Sequence, residues 1–364
     1  MNIALDATPL TEASGGARRY TEELTAALCD AFPGDQFYLL CDRPFAFPCS
    51  RGNLRAGQGA RNVLERRWWS FGLQGQISRL KIDVFHGTDF AVPYLPLRPS
   101  VMTLHDLSPW LDPGWHSSAD RIRQRTPMLL RLGLATMVIT PTEAIRRAAM
   151  ERFHLQHDRV VAVQHAANPC FRPLPTAASR PPYVLYVGTL EPRKNIGLIL
   201  DLWRELRREH EVDLVLAGRQ RTDFPSIPPE PGLEVLGYTA DEALPALYSG
   251  AAACLYPSHY EGFGLPVLEA MQCGALMLAS RDPAIMEVAG DGAILIDTQD
   301  RAGWLEALRT AVMHPERMVG IRERALLRAG QFSWTKTAQL TREVYEQAIQ
   351  LFRRQRFGSQ RVRK

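Results

Sequence analysis

Lysine is scarce in this chain: Lys81, Lys194, Lys336 and Lys364 are the only four, and arginine makes up the rest of the 43 basic residues. Against 39 acids the net charge is +4, too small to demand a nucleic-acid partner. No uncharged apolar run approaches the ~18 residues of a membrane span. The start, Met1-Asn2-Ile3-Ala4-Leu5-Asp6, lacks the basic-then-apolar pattern of a signal peptide and reads as a strand. The expectation is a cytoplasmic protein, with peripheral contact at the cytoplasmic face of the inner membrane left open. Six cysteines (Cys29, Cys41, Cys49, Cys170, Cys254, Cys273) show no C-x-x-C spacing, which argues against a disulfide framework and a zinc site. No Asp-x-Asp pair is present to hold a divalent ion. Neither a metal nor a resident cofactor is expected.

What is present is an ordinary globular composition, 46% hydrophobic and 23% charged over 364 residues, enough for two cores. Strand-like runs alternate with helical ones, which means α/β architecture with parallel sheets covered on both faces. Asn2 to Ala7 reads as a strand. It is followed by a loop ending in Gly15-Gly16 and by a helix from Ala17 to Phe32. Arg43 to Ala60 looks irregular. Asn62 to Leu80 reads as a helix carrying Arg66-Arg67-Trp68-Trp69, a stretch that suits either a membrane surface or lipid-linked acceptor, or a tryptophan turned into the core. Ser100 to Leu104 ends at His105-Asp106, where an open α/β sheet places its ligands. The expected domains are 1–168, a proline-rich linker 169–182, 183–332, a helix 333–352, and a disordered basic tail 353–364.

One stretch organises the second half: Ser258-His259-Tyr260-Glu261-Gly262-Phe263-Gly264-Leu265-Pro266-Val267-Leu268-Glu269. It joins an apolar strand to a helix, with Pro266 suited to the first helical position and Glu269 in the first turn. Helix N-termini take up phosphate, so Gly262, Phe263, Gly264 and Leu265 form a candidate diphosphate cradle. Arg193-Lys194 also stands at a strand end and would supply two cations. Spacing alone equally fits a plain strand–turn–helix with solvated glutamates and a solvated cationic loop.

Taken together, Gly188-Thr189-Leu190-Glu191-Pro192-Arg193-Lys194-Asn195, Gly237-Tyr238 and Glu261-Gly262-Phe263-Gly264-Leu265-Pro266-x-x-Glu269 resemble retaining glycosyltransferases of the GT-B fold, family 4 type. Thr103-Leu104-His105-Asp106-Leu107, Gly15-Gly16-Ala17-Arg18-Arg19-Tyr20 and Phe332-Ser333-Trp334 match as well. The resemblance implies two Rossmann-like domains facing a cleft, with a C-terminal helix crossing back to the N-terminal domain. It implies a nucleotide-sugar donor, which is a substrate and not a cofactor, and a glycan or lipid-linked oligosaccharide acceptor. It assigns Glu261 and His105 to the donor sugar, Glu269 to the ribose, Arg193 and Lys194 to the diphosphate, and Gly16 and Gly188 to close backbone approach. Arg219 and Tyr238 fall near the base. The Glu-Pro-Arg-Lys-Asn form resembles mannosyl- or rhamnosyltransferases of surface-polysaccharide assembly, which favours GDP-mannose; UDP- and dTDP-sugars stay open, as does a scaffold that binds without turnover. Two departures stand out. Thr189 occupies a position where many relatives have arginine, and Ala166-Ala167-Asn168-Pro169 replaces an Asn-Gly-Val type of turn.

Overall fold

A computed structural model describes residues 1–47, 50–60, 62–116, 119–175 and 181–361, with the side chains of 356–361 left aside. Cys49, residues 176–180 of the expected linker and the last three residues of the tail lie outside it. The chain divides into two compact units. The first comprises Met1–Leu111, Ser117–His165 and Ser333–Lys364; the second comprises Asp112–His116 and Ala166–Phe332.

The first unit runs β1 (Asn2–Asp6), α1 (Gly16–Ala31), β2 (Gln36–Leu40), β3 (Leu54–Ala56), α2 (Leu73–Arg79), β4 (Val84–Gly87), β5 (Ser100–Thr103), α3 (Asp120–Arg131), β6 (Met137–Thr140), α4 (Glu143–Phe153) and β7 (Val160–Ala162). Its seven strands are all parallel in the order β3-β2-β1-β4-β5-β6-β7. The central strands β4, β5 and β6 are buried at every position, as expected of a sheet covered on both faces. Gly15, at the head of α1, has φ +133°, which only glycine adopts readily.

The second unit runs β8 (Tyr183–Val187), α5 (Ile196–Arg207), β9 (Asp213–Ala217), β10 (Leu233–Gly237), α6 (Leu244–Gly250), β11 (Ala253–Tyr256), α7 (Leu265–Gln272), β12 (Met277–Ser280), α8 (Pro283–Ala289), β13 (Ile294–Ile296), α9 (Arg301–Met313) and α10 (Val319–Ala329). Its parallel order is β10-β9-β8-β11-β12-β13. Both sheets thus reverse winding once, between β1 and β4 and between β8 and β11. Each half is Rossmann-like.

The last helix, α11 (Trp334–Arg361), belongs to the first unit. Arg342 donates to Asp35 at 2.7 Å, Thr337 donates to the Gln164 carbonyl at 2.7 Å, and the Tyr345 hydroxyl meets His86 Nδ1 at 2.7 Å. The other ring nitrogen of His86 meets Thr103 at 2.8 Å. Burial, with His105 nearby, pushes His86 down to about 3.

Three expectations need correction. The helix expected at 62–80 is instead a wide π-type turn, Trp68–Gly72, that hands over to α2. A Cβ at Gly72 would come to 2.2 Å from the Glu65 carbonyl oxygen, so this close turn leaves no room for a side chain there. The irregular stretch 43–60 contains β3, an edge strand of three residues, too short to show alternation. The final helix continues past Phe352 to Arg361, so those residues are helical and not a disordered tail.

Candidate active site

In the second sheet, β8 and β11 lie side by side with their neighbours running opposite ways in sequence. Their carboxyl ends carry the Gly188 loop and the Glu261 loop. The crevice at such a reversal is where open α/β sheets bind ligands. The backbone there is held close. Gly188 has φ +147° and Gly218 has φ +150°, and a Cβ on Gly218 would meet the Gly188 carbonyl oxygen at 1.9 Å.

Three charged side chains converge between these loops. Lys194 Nζ donates to Glu261 Oε1 at 2.6 Å and to the Tyr256 hydroxyl at 3.0 Å. Arg193 Nη1 donates to Glu261 Oε2 at 3.3 Å and to the Tyr260 carbonyl at 2.7 Å, and its Nη2 reaches Glu191 at 2.8 Å. Glu261, Arg193 and Lys194 are 5%, 9% and 7% exposed. Burial pushes the Glu261 carboxyl up, but Lys194 and Arg193 outweigh it and hold it at about 2. Burial and the adjacent Arg193 push Lys194 below its usual value, against the pull of Glu261 and Glu191. Glu261 is therefore a fixed, ionised acceptor flanked by cations, suited to orienting a hydroxylated ligand and not to donating a proton.

Gly262 and Gly264 are buried, and Phe263 packs edge-on against Phe332 with ring centroids 6.0 Å apart. Gly264 caps α7 with φ +85°. Leu265 is the first helical residue and Pro266 the second, so Glu269 is the fifth and lies beyond the first turn, contrary to expectation. It is fully buried, and the Tyr248 hydroxyl donates to it at 3.3 Å. Arg219 and Tyr238 are both exposed, with the guanidinium 5.7 Å from the ring centroid.

Sequence reading assigned no role to four further residues around this cluster. Glu191 accepts from Arg193 and lies 3.5 Å from Arg221. Tyr256, the last residue of β11, hydrogen-bonds Lys194 and carries its ammonium 5.1 Å from the ring centre. Asp282 caps α8 through the Ala284 and Ile285 amides at 2.9 and 3.2 Å, and its other oxygen accepts the Glu261 amide at 3.3 Å. Burial and Glu261 push Asp282 up to about 6. Trp115 comes from a short segment inside the first half of the sequence that belongs to the second unit. Its indole stacks on Tyr260 with centroids 6.1 Å apart, and its carbonyl accepts from Arg221. An Asp-Pro pair two residues after an apolar strand could have announced the Asp282 cap; nothing local announces Trp115.

The remaining expected residues lie in the first unit. His105 follows β5, and its Nε2 donates to the Thr88 carbonyl at 2.8 Å, which fixes a proton on Nε2. Its ring meets Tyr20 edge-on at 4.9 Å and lies 5.7 Å from His165. Gly16 begins α1 with open space where a Cβ would stand.

Comparison with known proteins covers nearly the whole chain. The family described as Glycosyltransferase Family 4 matches residues 14–171, and Glycosyl transferases group 1 matches residues 172–328. O-antigen chain mannosyltransferase B of Escherichia coli is 32% identical over 287 residues, covering 72% of this chain and 74% of that protein. Serotype-specific mannosyltransferase WbdA of Escherichia coli is 25% identical over 274 residues, and the match spans 69% of this chain but 34% of WbdA. Among solved structures, the sucrose-phosphate synthase tll1590 of Thermosynechococcus elongatus superposes with a TM-score of 0.75 over 95% of this chain and 98% of that one, at 19% identity.

Proposed function

This chain belongs to the family 4 glycosyltransferases of GT-B fold, and we propose that it transfers mannose from GDP-mannose to a glycan hydroxyl during O-antigen, capsule or exopolysaccharide assembly. The observation that carries the reading is Glu261, held ionised between Lys194 and Arg193 at the winding reversal of the second sheet. The 32% identical relative, named as an O-antigen mannosyltransferase, supports the choice of sugar.

The chemical demand is to stabilise charge developing on a leaving nucleoside diphosphate. Lys194 and Arg193 meet that charge from one side and the backbone of Gly262, Phe263, Gly264 and Leu265 from the α7 terminus. Gly188, with its positive φ, lets the chain pass close to the phosphates. Glu261 accepts hydrogen bonds from the sugar, Glu269 from the ribose, and Arg219 with Tyr238 borders the base. His105 and Gly16 are assigned to the sugar on the family resemblance. Departure and attack on the same face give retention at the anomeric carbon, with the leaving phosphate taking the acceptor proton and no metal required.

A thermal-shift panel tests the donor. GDP and GDP-mannose are expected to raise the melting temperature, UDP and dTDP to do so less. A larger shift with UDP would move the assignment to a UDP-sugar, and no shift with any nucleotide would end the donor-site reading. Shifts without sugar transfer to any acceptor would instead favour a binding scaffold.

A further inference from the structure

Tyr256 ends β11 at the charged cluster and is 2% exposed, so its hydroxyl needs partners inside the protein. Lys194 Nζ donates to it at 3.0 Å, and the hydroxyl donates to Glu261. Lys194 also donates to Glu261 at 2.6 Å, so ammonium, phenol and carboxylate close a ring of three hydrogen bonds. A phenol suits this place because it accepts from a cation and donates to an anion at once. The ring is anchored on both strands. The His259 amide donates to the Arg193 carbonyl at 2.9 Å and joins the loops after β8 and β11. The Tyr256 ring stacks on Tyr186, with centroids 6.3 Å and planes 17° apart. Tyr186 is fully buried, and its hydroxyl donates to the Thr189 carbonyl at 2.9 Å.

We propose that Tyr256 is a positioning residue for transfer: with Glu261 it fixes the Lys194 ammonium so that its third N–H meets the donor diphosphate. The proposal rests on the donor-site reading given above. An ammonium has three donors, and holding two of them fixes where the third points. The lysine stem rotates freely, so an ammonium held by one carboxylate alone could swing; the second contact removes that freedom before the donor arrives. The hydroxyl also favours the charged form of Lys194, because an acceptor stabilises an ammonium. This opposes burial and the adjacent Arg193, which push Lys194 down. The charged and titratable groups facing it are Arg193 and Glu191 on its own turn, Tyr186 on β8, and Tyr256 and Glu261 at the end of β11, with Asp282 behind Glu261.

The test is steady-state transfer by Tyr256→Phe, which removes the hydroxyl and keeps the ring. Its kcat is expected to fall about tenfold, the scale of one hydrogen bond to a charged group. With that acceptor gone Lys194 loses its proton more readily, so the alkaline limb of kcat/KM should move about one pH unit lower. Tyr186→Phe removes an equally buried hydroxyl that bonds a carbonyl, and should leave the limb where the parent has it. In a Lys194→Ala background, Tyr256→Phe should add less than about twofold, since its effect runs through the lysine. A parent-like kcat and pH profile in Tyr256→Phe, the same limb movement in Tyr186→Phe, or a full further loss in the Lys194→Ala background would overturn the proposal. Lys194→Ala alone separates the two readings. If it transfers normally, the donor-site assignment fails; if it loses activity while Tyr256→Phe does not, only the role of Tyr256 fails.

Discussion

Glu261 and Asp282 are coupled acids with opposite responses to pH. Glu261 is lowered from 4.5 to about 2, so its stabilising effect is complete above about pH 4.5 and fades as pH falls toward 2. Asp282 is raised from 3.8 to about 6, so the folded state binds its proton more tightly than the unfolded state does. Its contribution is present below 3.8 and is lost as pH rises through 6. Asp6, raised to about 7 by burial, acts in the same direction elsewhere in the molecule, so the informative quantity is a difference between proteins. Asp282→Asn keeps an oxygen for the helix cap and should flatten the stability profile between pH 4 and 6 relative to the parent, as read by urea denaturation. For catalysis, Lys194→Ala and Glu261→Ala should each lower kcat by roughly 100-fold, the scale of losing one aligned electrostatic group. Near-normal steady-state transfer by both would remove these residues from the site. Sequence made the two glutamates and the adjacent cations visible because they sit within short loops beside glycines. It could not show that Glu261 is already paired on both oxygens, since Lys194 lies 67 residues away.

Loops and helix ends set the precision of this site. Gly218→Ala would drive a Cβ to within 1.9 Å of the Gly188 carbonyl while forcing an unfavourable φ. A loss of about 3 kcal/mol or more is expected, visible as a fall in melting temperature. Trp115 steadies Tyr260, whose carbonyl holds Arg193. Trp115→Ala is expected to weaken nucleoside diphosphate binding about fivefold, near the energy of an aromatic pair. Trp115→Phe should restore most of it; calorimetric titration of both variants checks this. The alternation of strands and helices was legible, because runs such as Met137–Thr140 are apolar throughout and glycine loops punctuate them. The π-type turn was not, since the close approach of Gly72 to the Glu65 carbonyl, which a Cβ would block, leaves no periodic residue pattern. The placement of Glu269 slipped by one turn position because proline sits well at either of the first two helical positions.

At the scale of the molecule, two cores share one chain. Nucleotide bound to the second unit should stabilise that unit alone, by about 2.7 kcal/mol at a hundred times its dissociation constant. Scanning calorimetry is therefore expected to show one transition moving upward with GDP and another staying in place. The returning helix α11 bears on how the protein is made. Domains emerge from the ribosome amino-terminus first and generally fold as units. Here the strands of the first unit are synthesised early, but Tyr345 and Arg342, which cap His86 and Asp35, arrive 259 and 307 residues later. The second unit can finish while the first still shows the apolar face of α1. The early half must wait, unsealed, until α11 has been made, and a premature stop codon near residue 333 would harm the part of the protein made first.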